Sequence, residues 1–304
     1  QSMEAVMKDT IRQAIQMAMF CRMINIPFEV YSFSSVGDNY CDWRENKTTD
    51  YKNDKGEVIF HSSLRMRNYL SSRMPKKRFF DACHRMGIMS TCWDWGVHGR
   101  GPRYGDNLGA TPLDDAIWTM TQWLPKYRES NGIEIMNTLF ISDGATTSNI
   151  FNGGRNSVVK DGHHYFGRMS EGEWTDSTQT ALDVLRHRTG SRLVQFFLIN
   201  NKGVADKYGR SRVHAMHGTE SEMLSCQEQF KKGKWCVAPN KNAFDERFIM
   251  FGRNSVQNTD GFSDMGRSDE DGVTITKIRN SFVKSMKQTT TSRAMLNRFI
   301  DIIA

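Results

Sequence analysis

The sequence predicts an α/β protein with a doubly wound, mostly parallel sheet and helices on both faces. Short, almost unbroken apolar runs carry this prediction, because strands buried on both faces of a parallel sheet have this composition. The clearest runs are 135–142 (IMNTLFIS) and 193–199 (LVQFFLI), and 247–251 (RFIMF) is a third strand candidate. Segments with helical periodicity alternate with these runs, as βαβ units require.

The first third of the chain begins with an amphipathic helix. Val6, Ile11 and Ile15 recur at near-helical spacing with polar residues between them, and Pro27 closes the segment. The expected elements are, in order, a helix over 3–24, a strand over 28–33 (FEVYSF), a polar loop over 35–60 with a short hairpin near 58–60, and a largely helical region over 62–90.

A strong helix signal follows a glycine-rich stretch. Thr111 is expected at the N-cap and Pro112 at the first helical position, with Asp114 and Asp115 in the first turn and an end near Pro125. The remaining elements are expected to be a loop over 145–175, a helix near 176–189, a polar region over 201–243 without a clear assignment, and an amphipathic helix over 273–303.

Composition sets limits on the class of protein. Of 304 residues, 38% are hydrophobic and 25% charged, which is typical of a globular chain rather than a disordered one. The net charge of +7 permits an acidic partner, but no dense basic run with interleaved aromatic residues favours nucleic acid. No run approaches the roughly 18 apolar residues of a membrane helix. The six cysteines are far apart and are expected to be buried and reduced, and we expect a cytoplasmic protein.

Two segments offer oxygen ligands where an α/β sheet binds its ligands, beyond the carboxyl ends of the strands. Thr111 stands where a loop enters a helix, and Asp143 follows the buried run 135–142 directly. Carboxylate, hydroxyl and water oxygens are the ligands that Mg²⁺ prefers. Each motif alone also has an ordinary structural explanation, a helix cap for Thr111 and a turn for Asp143-Gly144.

In this order the two segments resemble the metal-ion-dependent adhesion site of von Willebrand factor A (VWA) domains. In that family a D-x-S-x-S motif follows the first strand, a Thr begins a later helix, and an Asp ends the fourth strand in S-D-G. Thr111 and Asp143 match the second and third parts. The D-x-S-x-S motif is absent from the sequence, so either the first strand lies just upstream of residue 1 or the site is degenerate and binds no metal.

The resemblance implies one VWA-like domain over 1–304 that lacks its first strand and has insertions at about 35–104 and 201–243. The segments PFEVYSFSS, TPLDDAI and FISDGATTS are most similar to the VWA subunit of cobaltochelatase-type complexes and its bacterial and phage relatives. It further implies Mg²⁺ or Mn²⁺ held by Thr111 and Asp143, and a non-catalytic adaptor that works with a MoxR-type AAA+ ATPase.

Two alternatives stay open. A zinc-dependent hydrolase would use His214 and His217 with the nearby Glu220 and Glu222, although the histidine spacing differs from that of H-E-x-x-H. The other alternative is an adhesive or structural binding module without an ATPase. The adjacent pair at 163–164 (HH) is expected to be surface loop.

Overall fold

The computed structural model describes residues 4–35, 64–91, 111–142, 159–166, 177–199, 203–213, 216–241, 243–252 and 297–302. The helices are α1 (Glu4–Met23), α2 (Lys76–Thr91), α3 (Leu113–Ser130), α4 (Ser177–Thr189), α5 (Glu220–Gly233) and a helical segment at 297–302, α6. The strands are β1 (Glu29–Ser35), β2 (Leu64–Ser71), β3 (Asn137–Ser142), β4 (Val159–Asp161), β5 (His164–Phe166), β6 (Arg192–Ile199), β7 (Trp235–Val237) and β8 (Glu246–Phe251).

The larger sheet contains the three strands predicted from the apolar runs. Its order is β3-β6-β8-β7, with β3, β6 and β8 parallel and the short β7 antiparallel at the edge. Every residue of β6 after Arg192 is buried, as expected for a strand covered on both faces. The α/β class is therefore confirmed, with a mixed sheet.

Helices cover both faces of this sheet. On one face, α1 and α6 pack against alternate residues of β6, namely Val194, Phe196 and Leu198. On the other face, α3 and α4 pack against Leu193 and Phe140, and α5 packs further along the same face. The predicted first helix and the helix near 176–189 are confirmed, and the part of the predicted C-terminal helix that the structure describes is helical.

A second, two-stranded sheet corrects the predicted helix over 62–90. Residues 64–71 form β2, antiparallel to β1 with a register shift between Val30 and Tyr31, and only the later part of the region forms a helix, α2. The apolar positions in this short stretch fit either period, so pairing with β1 decides between strand and helix. Leu70 is fully buried beside Phe79 of α2 and Ile15 of α1.

The start and the end of α3 also differ from the prediction. Pro112, not Thr111, occupies the N-cap position, and no side chain caps the helix there. The helix continues through Pro125 to Ser130, because the buried face that includes Tyr127 continues beyond the proline.

Other regions without predicted structure do contain regular elements. Part of the expected loop over 145–175 forms the β4–β5 hairpin, whose turn has Gly162 at φ +61°. The region 201–243 contains α5 and β7. The hairpin expected near 58–60 lies outside the described residues.

Candidate functional site at the carboxyl ends of the parallel strands

The parallel strands β3, β6 and β8 end at one edge of the larger sheet. Ser142 is the last residue of β3 and pairs with Phe197, so β6 extends beyond β3 by two residues. Helix α1 begins at this edge as well. A Cβ built on Gly252, just after β8, would lie 2.4 Å from Val6 Cγ1, so the backbone of Gly252 lies directly against the Val6 side chain.

Thr111 lies at the same edge. It is half-buried, and its carbonyl oxygen accepts a hydrogen bond from the backbone N–H of Leu113 (2.8 Å) as the chain enters α3. A cavity of about 460 Å³ is lined by Thr111, by Ser142 and by Ser34 near the end of β1. The structure thus brings Thr111 and the last residue of β3 to one cavity. Asp143, the second predicted ligand, follows Ser142 but lies outside the described residues.

A buried hydrogen bond fixes the first turn of α3. Thr178 Oγ1 donates to Asp114 Oδ1 at 2.6 Å, linking the beginnings of α3 and α4. Asp114 is completely buried and Thr178 nearly so. Because the bond is short, buried and made to an acidic side chain, it fixes the start of α3, which adjoins Thr111, relative to the start of α4.

A row of three hydrogen-bonded polar side chains, Ser142, Gln195 and Arg247, crosses the three parallel strands beside the cavity. Gln195 donates from Nε2 to Ser142 Oγ (3.2 Å), and Arg247 Nε donates to Gln195 Oε1 (2.8 Å). The Arg247 guanidinium also stands over the Phe197 ring, 5.1 Å from its centroid. Both Gln195 and Arg247 are buried, so this row fixes the orientation of the Ser142 hydroxyl from the core side.

The alternative zinc site is only partly described, and one of its residues has a structural role. Glu222 forms a capping box with Thr219 at the start of α5, where its carboxylate accepts from the Thr219 N–H at 2.8 Å. Hydrogen bonds from Thr219 lower the pKa of Glu222. His217 is exposed, and His214 lies outside the described residues. Glu222 thus serves as a helix cap.

The histidine pair at 163–164 belongs to the β4–β5 hairpin rather than to an open loop. His164 in β5 packs against His187 of α4, with ring centroids 4.2 Å apart. Arg188 donates hydrogen bonds to both carboxylate oxygens of Asp161, at 2.6 and 2.9 Å, and these bonds lower the pKa of that carboxyl group. The hairpin is therefore attached to the C-terminal end of α4 by a ring contact and a bidentate ion pair.

The described cysteines are free and buried, as predicted: Cys21, Cys83, Cys226 and Cys236. Burial raises the pKa of the Cys21 and Cys83 thiols to about 12. These two thiols are therefore protonated and unreactive at neutral pH. Cys41 and Cys92 lie outside the described residues.

No family model, no curated protein and no solved structure matches this chain. Across the ranges described above, no helix combines the length and apolar character needed to cross a membrane. Among the same residues, no group of three or more His, Cys, Asp or Glu side chains is arranged to hold a metal ion. The resemblance to VWA domains therefore stays a prediction from sequence motifs.

Proposed function

We propose that this protein is a metal-ion-dependent adaptor that binds another protein at the carboxyl edge of its parallel strands. Thr111 and Asp143 would hold a Mg²⁺ or Mn²⁺ ion there, directly or through water. The observation that carries the proposal is the shared cavity of Thr111 and Ser142, since Asp143 is the next residue after Ser142. We infer that these two segments, some thirty positions apart in the chain, meet at this edge of the sheet.

The donor chemistry at this edge fits a hard cation. Ser34, Thr111 and Ser142 line the cavity and carry hydroxyl groups, and Asp143 would add a carboxylate. In the VWA resemblance the remaining ligands come from the D-x-S-x-S motif that precedes the first helix. When bound, the ion supplies an open coordination position that an Asp or Glu of the partner can occupy. The role of this chain is then binding and orientation, without covalent chemistry.

A MoxR-type AAA+ ATPase is the partner that we propose, within an assembly similar to cobaltochelatase. Support for this partner comes from the segments PFEVYSFSS, TPLDDAI and FISDGATTS. The net charge of +7 is compatible with an acidic docking surface on the partner.

Capture of a purified MoxR-type AAA+ ATPase by the full-length protein tests the proposal. We expect capture in Mg²⁺ and a loss of at least about tenfold in excess EDTA, with Asp143→Ala and Thr111→Val giving the same loss in Mg²⁺. Thr119→Val is the matched control, because the Thr119 hydroxyl bonds within its own helix, to the Asp115 carbonyl at 2.9 Å. Capture that is unchanged in EDTA and in Asp143→Ala would contradict the adaptor function.

The same experiment separates the alternatives. Metal-dependent capture of other proteins, with no binding of the ATPase, would favour an adhesive module. One tightly bound zinc ion per chain, lost in His217→Ala, would favour the hydrolase.

A further inference from the structure

Residues 73–85 hold more than half of the net charge of the chain. They include five basic residues and one acidic residue, a net charge of +4, whereas all 304 residues together carry +7. Each of these six residues is exposed: Arg73, Lys76, Lys77, Arg78, Asp81 and Arg85. A surface on which one sign of charge is concentrated attracts ligands of the opposite sign. The start of α2 and the turn before it therefore favour an anionic ligand.

The apolar face of α2 determines where its arginines lie. Phe79, Cys83 and Met86 recur at helical spacing and are buried in one cluster with residues of α1. Arg78 and Arg85 are seven positions apart, so they share a different face of the helix. Two turns separate them, which is about 10 Å along the helix axis.

This second face of α2 forms one wall of a cavity of about 570 Å³. The helix contributes Arg78, Asp81, Ala82 and Arg85 to its lining, and the end of β2 and the following turn contribute Ser71, Arg73, Met74 and Pro75. Among the described residues, none lines both this cavity and the cavity at the carboxyl edge of the parallel strands. Three arginines thus meet at a site that is separate from the carboxyl edge.

Hydrogen bonds hold the wall opposite α2 in place. Glu29 Oε1 accepts from Ser71 Oγ (2.8 Å) and from Arg73 Nε (3.2 Å), and the Arg73 backbone N–H donates to Ser71 Oγ (3.1 Å). The Glu29 side chain is 4% exposed and that of Arg73 is 65% exposed, so a buried carboxylate anchors an accessible guanidinium. Arg22 of α1 donates to the Met74 carbonyl oxygen (3.0 Å). This wall is therefore ordered before a ligand binds, which lowers the entropic cost of binding.

The two arginines of α2 have no comparable anchor. Within the described part of the chain, neither Arg78 nor Arg85 forms an ion pair or a side-chain hydrogen bond, although Asp81 lies between them in the helix. Guanidinium groups stay charged at all relevant pH values, and like charges that border one cavity repel each other. A bound anion would offset this repulsion and accept hydrogen bonds from both side chains.

We propose that this cavity binds a small ligand that carries at least two phosphate groups. The planar N–H fork of an arginine fits phosphate and carboxylate oxygens alike. A single fork satisfies one carboxylate, whereas a phosphate group offers more oxygens and more charge, so phosphate groups suit three arginines better. One phosphate group is too small to span Arg78 and Arg85. The cavity volume lies within the range of roughly 300–1,000 Å³ that is typical of small-molecule sites.

The lining favours a small ligand over a nucleic acid. No Phe, Tyr or Trp is among the described residues that line the cavity, so unpaired bases would find no ring to stack on. Asp81 in the wall would repel a continuous phosphate backbone, but it can accept a hydrogen bond from a hydroxyl or amino group of a small ligand. Lys76 and Lys77 adjoin the lining residues in sequence and add to the positive field.

Isothermal titration calorimetry of the 304-residue chain with tripolyphosphate tests the proposal, in metal-free buffer at about 0.15 M salt. We expect one site per chain, weakened by about tenfold or more in Arg78→Gln and in Arg85→Gln, because each loses hydrogen bonds to a charged group. Lys77→Gln is the matched control, since it removes the same charge from the same helix outside the cavity lining; it should weaken binding by less than about threefold. All three side chains are exposed, so the urea midpoints should be unchanged.

Inorganic phosphate, citrate and a short double-stranded DNA are the comparison ligands. The inference would be overturned by undetectable binding of tripolyphosphate, by an equal loss of affinity in Lys77→Gln, or by equally tight binding of inorganic phosphate. Equally tight binding of citrate would indicate a carboxylate site, and tighter binding of the DNA would indicate a nucleic-acid surface; each would also overturn it. The titration contains neither metal nor ATPase, so its outcome is independent of the adaptor function.

Discussion

Removing the Thr178 hydroxyl is expected to destabilise the protein and weaken the candidate site together. Thr178→Val keeps the shape of the side chain but deletes the 2.6 Å hydrogen bond to Asp114, which is fully buried. Hydrogen bonds to charged groups contribute about 1.5–3 kcal/mol. A buried acidic group that loses a donor keeps its desolvation cost, so we expect a loss of free energy of unfolding in this range. Urea denaturation measures it.

The control for this prediction is Thr119→Val. The Thr119 hydroxyl bonds to a carbonyl of its own helix, so this substitution should change the free energy of unfolding by no more than about 0.5 kcal/mol. If Thr178→Val lowers the free energy of unfolding no more than Thr119→Val does, the hydrogen bond between Thr178 and Asp114 does not fix the first turn of α3. Thr111 would then not be held in place by this hydrogen bond.

Three further perturbations follow from single contacts. Gly209→Ala should lower the free energy of unfolding by about 1–3 kcal/mol, because Gly209 has φ +73° and the new Cβ would lie 2.6 Å from Glu220 Cγ. An unchanged urea midpoint would contradict this prediction. Arg188→Gln should destabilise the protein at pH 7, and its effect on the urea midpoint should shrink as the pH falls below 3.8: the ion pair lowers the folded pKa of Asp161, so its contribution is present above the ordinary pKa of 3.8 and is lost as pH falls through the folded value. Alkylation of Cys21 at pH 8 should be at least about a hundredfold slower in the native protein than in urea, since its pKa is raised to about 12; equal rates would contradict the burial.

The sequence predicted the strands and helices whose periodicity is unambiguous. β6 is apolar over almost its whole length, and α1 has a long amphipathic repeat, so local pattern and tertiary environment agree. β2 could not be recognised in the same way, since its paired residues in β1 lie 29 to 42 positions away and the burial of its residues does not alternate. The β4–β5 hairpin has strands of three residues each, which is too short for a periodic signal.

The candidate site was predictable where it depends on position along a strand or helix. Thr111 was expected at the carboxyl edge, and it does line a cavity there with the last residue of β3. The hydrogen bond between Asp114 and Thr178 was missed, because it joins residues 64 positions apart and the sequence gives no sign that the first-turn acid faces another helix. The polar row of Ser142, Gln195 and Arg247 was missed for the same reason: the register of three strands creates it.

A Mn²⁺ titration followed by electron paramagnetic resonance shows whether Thr111 and Asp143 bind the same cation, as we propose. The full-length protein, Thr111→Val, Asp143→Ala and the double variant would be compared, with Thr119→Val as the control. We expect one site, weakened by on the order of tenfold or more in each single variant, with the double variant losing less than the product of the two because both residues act on the same ion. Mn²⁺ affinity that is the same in all five proteins would contradict the claim.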